Sequence, residues 1–303
     1  MERLKKMVRP VGALLVALIA VTLAAGCSGA PATFTPSELK VMLADALVAT
    51  SGATSFHHAM ALNVNGDTPG DAETPGNFQV NMTSQGTADI PADEMQTDLK
   101  ISFGMKLGDQ DLSMQDVAAI IYQVDGYLYL KPDQGDGTWR KTAVSPELTQ
   151  AFGMNLVQGQ FAMLASPVSI EYLRDEKVDG AACRVLSVMP DTDLLVQWLR
   201  AQGALPSEDI DWSKAEALAN LFQDVTVQVW VDKDAKFIRR MTAAITAVIT
   251  PDMTNDPSSG QPNLSVDIAL DLTLSDYNKA VDITLPPDAR NAPDVAPENF
   301  TFT

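Results

Sequence analysis

Two histidines and two cysteines are the only imidazoles and thiols in this 303-residue chain, set among 39 acidic side chains. His57 and His58 are adjacent in a stretch of alternating polarity, "SFHHAMALNV". Neighbouring strand residues point to opposite faces, so the pair cannot ligate one metal without distortion. Two readings of His58 remain, a satisfied buried histidine or a polar point inside a ligand cavity. The sequence holds no HExxH and too few histidines for a His-rich zinc site. It also holds no G-x-S-x-G nucleophile elbow. Cys183 follows "DGAA" in a strand pattern. A catalytic thiolate needs an electropositive setting, and this cysteine reads as buried and structural. "DQGDG", Asp133 to Gly137, lacks the twelve-residue ligand ladder of a calcium loop and reads as a hairpin loop. The other carboxylates are too numerous to single any out and read as solvated surface. The expectation is a chain with no catalytic residue, no metal site and no cofactor, and not an enzyme.

Cys27 is different, because of what precedes it. Arg3, Lys5, Lys6 and Arg9 stand against Glu2, and Val11 to Leu23 follow without a charge. A basic n-region, an apolar run of this length and small residues at its end make a secretory signal. A membrane span needs about 20 apolar residues. "AAGC", Ala24 to Cys27, resembles the bacterial lipobox, whose cysteine receives a diacylglyceryl group and becomes the mature N-terminus. The alternatives are an ordinary cleaved signal with an unmodified cysteine and a signal retained as an anchor. One acyl chain, at about 0.8 kcal/mol per buried CH₂, anchors only marginally; two or three hold firmly. The expected organisation is a signal peptide over residues 1–26, a lipidated tether over 27–35 and one folded domain over 36–303. The expected location is the cell membrane or outer envelope, lipid-anchored and facing the periplasm or the exterior.

The formal net charge is −18, and residues 1–26 contribute +3 of it, so the processed chain stands at −21. Nucleic acid is excluded as a partner, because phosphate binding needs Lys/Arg patches. With Cys27 lipidated, Cys183 has no disulfide partner. A domain of this length buries enough surface to do without one.

The elements follow from periodicity. "TPSELKVMLADALVAT" reads as a helix, with Thr35 as N-cap, Pro36 at N1, Glu38 closing a capping box, and Leu39, Met42, Leu43, Ala46 and Leu47 in one stripe. Then the period becomes 2. The apolar faces are Phe56, His58, Met60, Leu62 and Val64; then Phe78, Val80, Met82, Ser84, Gly86, Ala88 and Ile90; then Met95, Leu99, Ile101, Phe103, Met105 and Leu107. One wet and one buried face is the antiparallel pattern. Asp125-Gly126 and Asp179-Gly180 mark hairpins, and a short strand is expected at Trp139. Helices are expected from Ser145 to Ala165, from Asp191 with Gly203 past its end, and from Ser213 to Phe222. Strands return with Val225 to Val231, Met241 to Ile249 and Leu264 to Leu274, around a Pro/Gly/Ser-rich loop at 251–263. "VDITLPPDA" is expected to close the sheet. The fold class is therefore α+β, one large curved antiparallel sheet with helices on its concave face.

The lipobox, the first helix, "VDGYLYLK" followed by "WRK", "DEKVDGAACRVLSV" and "VTVQVWVDKDAKFIRRM…LSDYNKAVDITLPPDA" together resemble the LppX/LprG-type lipoproteins, relatives of the carrier LolA and the receptor LolB. The likeness covers most of residues 36–290. It implies a half-barrel closed by helices, with acyl chains or lipoprotein lipids held in an apolar hollow and carried through the envelope. The helical stretch from Asp191 to Phe222 and the loop 251–263 depart from the family pattern. Parity assigns the hollow's lining to Met60, Leu62, Val80, Met82, Ile101, Phe103, Met105, Met241 and Ile245. Methionine suits a surface that must accept varied shapes, and it also fills ordinary cores. The expected function is a lipid- or acyl-binding lipoprotein, tethered to the membrane through Cys27, with no named protein partner. The rival is an envelope scaffold or sensor whose half-barrel is filled by its own side chains.

Overall fold

Strand-forming alternation over most of the chain becomes twelve strands of one sheet in the computed structural model, which describes residues 33–67, 76–111, 114–145, 161–201, 221–250, 263–296 and 300. By internal contacts the chain divides into two units, Met1–Thr35 and Pro36–Thr303. All described secondary structure belongs to the second.

The strands are β1 (Ser55–Asp67), β2 (Gly76–Asp89), β3 (Glu94–Leu107), β4 (Gln110–Asp111), β5 (Met114–Val124) and β6 (Tyr127–Pro132), then β7 (Arg140–Ala143), β8 (Ser169–Val178), β9 (Ala181–Met189), β10 (Phe222–Asp232), β11 (Ile238–Ile249) and β12 (Leu264–Ser275). Their order across the sheet is β7-β6-β5-β3-β2-β1-β12-β11-β10-β9-β8, with β4 on β3. Every pairing is antiparallel. Two meanders, β1–β7 and β8–β12, therefore meet at a single seam between β1 and β12. Both Asp-Gly hairpins are present. Asp125 and Gly126 have φ of 53° and 75°, and Asp179 and Gly180 have 48° and 83°. Both central residues are left-handed, the turn whose twist matches the strands it joins.

Register aligns the apolar faces. One row runs from Ala119 of β5 through Leu99, Ser84, Met60, Leu272, Met241 and Val229 to Leu186 of β9. The next runs through Ile101, Met82, Leu62, Leu270, Ala243, Val227 and Val188. A one-residue slip would put every one of these side chains in water, so burial fixes the register. The opposite face carries Lys100, Thr83, Asp271 and Thr242, and there Arg240 is paired with Asp271.

Helix α1 (Pro36–Ser51) buries Leu39, Leu43 and Ala46 and packs against β8 and β11. Its last turn is pinned: the Ile238 N–H donates to Thr50 Oγ1 at 2.9 Å, and the Tyr277 hydroxyl donates to the Ile238 carbonyl. Helix α2 (Thr192–Ala201) starts at an Asp191 cap, whose carboxylate accepts from the N–H groups of Asp193 and Leu194. It buries Leu195, Val196 and Trp198. Of the helix expected over 145–165, the described part is a short 3₁₀ turn, Ala162–Leu164. The helix expected from Ser213 and the loop at 251–262 lie outside the described residues.

One expectation is corrected. "VDITLPPDA" forms no strand. β12 already has β1 and β11 on its two sides, so no edge is free beside it. Pro286 and Pro287 also lack the N–H groups a ladder needs. The segment instead crosses the outer face, where Ile283 and Ala289 pack with Tyr122, Tyr129 and Trp139. It then lies along the edge strand β7. The Lys141 N–H donates to the Pro293 carbonyl, and the Val295 N–H donates to the Lys141 carbonyl. Beyond the edge, Phe300 is buried against Leu99, Ile121, Leu128 and Leu130 on the apolar face.

Candidate functional site

The ladder brings the nine residues assigned by parity onto one face of five adjacent strands, β3, β2, β1, β12 and β11, with β12 contributing none of them. Their burial is uneven. Met60, Leu62, Met241 and Ile245 are buried. Val80, Met82, Ile101, Phe103 and Met105 are half-buried. The accessible apolar surface is thus concentrated on β2 and β3, away from the seam. Phe78 belongs to the same region. Its ring covers Gly66, where an added Cβ would lie 1.9 Å from the ring. Phe300 also reaches this face and touches the cluster that Met82 and Ile101 pack against.

Three polar side chains interrupt the apolar face on β1, β2 and β3. His58 stands opposite Gly86, and Gly86 stands opposite Thr97. Ser84 lies two residues from Gly86, opposite Met60 and Leu99. They are 8% (His58), 4% (Ser84) and 5% (Thr97) exposed. His58 Nδ1, Ser84 Oγ and Thr97 Oγ1 are buried without a hydrogen-bond partner. Burial, with a smaller contribution from His57, pushes the His58 imidazole down to about 4. It is neutral at pH 7. The reading of His58 as a satisfied core histidine is therefore not met at Nδ1. Ser84 and Gly86 were legible as breaks in the apolar alternation of β2, but nothing in their types marks them as a group with Thr97 and His58.

The other chemistry-bearing residues are accounted for locally. His57 points to the polar face, with its Nδ1 2.7 Å from Thr87 Oγ1. Cys183 is fully buried, and burial together with the Asp232 carboxylate pushes its thiol up to about 11. Such a thiol is a poor nucleophile. In the 133–137 loop, Asp133 Oδ1 accepts from the Ala118 N–H and Asp136 Oδ1 from the Thr138 N–H. Those carboxylates shape the turn. Among the described residues no group of three or more His, Cys, Asp or Glu side chains could hold a metal ion. On the polar face, an open trough of about 400 Å³ is lined by Ala61, Thr83, Lys100, Asp271 and their neighbours. Its charged, solvated walls do not suit an acyl chain.

No protein-family model and no curated protein matches the chain. Solved structures do. The lipoprotein LppX of Mycobacterium tuberculosis is 13% identical, with 82% of this chain and 100% of that chain covered and a TM-score of 0.42. LprF of Mycobacterium bovis is 15% identical, with 85% and 99% covered and a TM-score of 0.42. A LolA superfamily protein of Nitrosomonas europaea is 12% identical, with 83% and 96% covered and a TM-score of 0.18.

Proposed function

We propose that the protein is a membrane-tethered lipoprotein that holds lipid or acyl chains against the apolar face of its sheet, without catalysis, for their handling or transport in the cell envelope. The observation that carries this reading is the half-buried apolar surface of Val80, Met82, Ile101, Phe103 and Met105 beside a fully buried seam. Removing apolar surface from water is worth roughly 25 cal/mol per Å². A long acyl chain laid on such a face is therefore held without any directional contact. Helices at the rim of that face would have to move to admit it.

The second reading, a filled half-barrel acting as a scaffold, is favoured by the β10–β12 side, where Met241, Ile245, Val227 and Val229 are already packed. A single pair of variants separates the two. Adding bulk to a solid core costs about 1–3 kcal/mol, whereas adding it to a hollow costs little. Met82→Trp or Met105→Trp is expected to lower the lipid counted by native mass spectrometry of the full chain, with the melting temperature held. A steep loss of stability, with no lipid on the parent protein, would assign the face to a packed core.

A further inference from the structure

We propose that His58, Ser84 and Thr97 form an uncharged hydrogen-bonding notch in the apolar face, and that the notch takes the ester carbonyl of an acyl lipid. This deepens the lipid-binding reading and rests on it.

A buried polar atom without a partner is costly, and native folds rarely keep one. Here three occur together, on adjacent strands and on one face. Their neighbours along the face are apolar: Met60, Leu99 and Leu274. The backbone makes room for them. A Cβ on Gly86 would lie 2.9 Å from His58 Cε1, 2.9 Å from the Thr97 Cα and 2.0 Å from the Gln96 carbonyl oxygen. Only glycine leaves this space to the imidazole. A serine or threonine hydroxyl and one nitrogen of a neutral imidazole can each donate, so the three groups can converge on a carbonyl oxygen. A carboxylate or phosphate is a poorer fit. The inward positions of β1, β2, β3 and β12 carry no Lys or Arg, and the imidazole stays neutral for want of solvation. An ester differs from such an anion in needing donors and no counter-charge. Its hydrocarbon chains would run from the notch over Met82, Ile101 and Phe103.

The test uses the full chain, stripped of co-purified lipid, and two probes that compete with a fluorescent apolar dye. Methyl palmitate carries the ester; octadecane carries none. Thr97→Val keeps the side-chain shape and removes the hydroxyl. Thr97→Val and His58→Leu are each expected to weaken methyl palmitate by roughly five- to tenfold, the worth of one buried hydrogen bond, and to leave octadecane within about twofold. Without ligand, Thr97→Val should melt at or above the parent, because it removes an unpaired polar group. Should His58→Leu fail to fold, Ser84→Ala combined with Thr97→Val carries the same expectation. Unchanged methyl palmitate affinity in all variants overturns the notch, as does an equal loss of both probes. If neither probe binds the parent, the lipid-binding reading itself fails, and the notch with it.

Discussion

His58 links burial to acid stability. In the fold its imidazole titrates near 4, chiefly because burial disfavours the charged ring and secondarily because His57 is adjacent; unfolded, it titrates at 6.5. Between those values the unfolded chain binds more protons than the folded one. The contribution of His58 is therefore fully present above pH 6.5, is lost as pH falls toward 4 and levels off below. A shift of this size is worth about 3 kcal/mol. Asp175, Asp288 and Asp232 are among the carboxylates held below their usual range. The causes are the Lys233 bond for Asp175 and the Trp139 bond for Asp288; for Asp232, burial acts upward but is outweighed by bonds from Ala235, Arg239 and Asp234. Their contributions fall away only at more acid pH. Urea unfolding at pH 7.5, 5.5 and 4.5 should show the parent losing stability over this span, while His58→Leu changes much less. Equal slopes for the two proteins would mean that His58 is not buried neutral. Parity alone showed that His57 and His58 face opposite ways. It could not show that Thr97, two strands away, would complete a notch with His58, because that depends on register.

The strands were legible because a sheet with one wet face writes its own alternation into the sequence, as in β12 and β2. Asp-Gly at 125–126 and 179–180 marked the hairpins for an equally local reason. The tail was not legible. Asp282, Thr284, Ile283 and Leu285 alternate as a strand would, yet Ile283 and Leu285 pack on the outer face with no ladder. Alternation reports one apolar side and is silent on whether a sheet edge is free to pair. The tail's role is to strap the β5–β7 end, from Ile283 on one face, past Lys141 at the edge, to Phe300 on the other. Phe300 is 4% exposed, and truncating a buried phenylalanine costs about 3–5 kcal/mol. Phe300→Ala is accordingly expected to lower the unfolding free energy by that order, read as a lower urea midpoint with the slope unchanged. A midpoint equal to the parent's would show that the strap does not hold this end of the sheet.

At the scale of the molecule, the question is what would hold so acidic a protein at a membrane. Its net charge of −18 offers anionic lipid no electrostatic attraction. Among the described residues no helix is long and apolar enough to cross a membrane. On the lipoprotein reading proposed above, attachment would rest on residues that precede the fold, either acyl chains on Cys27 or the apolar run from Val11 to Leu23. The two differ in what a single sulfur does. If Cys27 carries two or three acyl chains, removing the thiol removes all of them; if the apolar run is the anchor, the thiol is irrelevant. Cys27→Ser is expected to move the protein from the membrane pellet to the soluble fraction, with the parent staying in the pellet through a high-salt wash, since its binding is not electrostatic. Mass spectrometry of the parent's first tryptic peptide should then begin at an acylated Cys27. A parent whose first peptide keeps residues 11–23 and carries an unmodified Cys27 would make the apolar run the anchor and the lipid modification unnecessary.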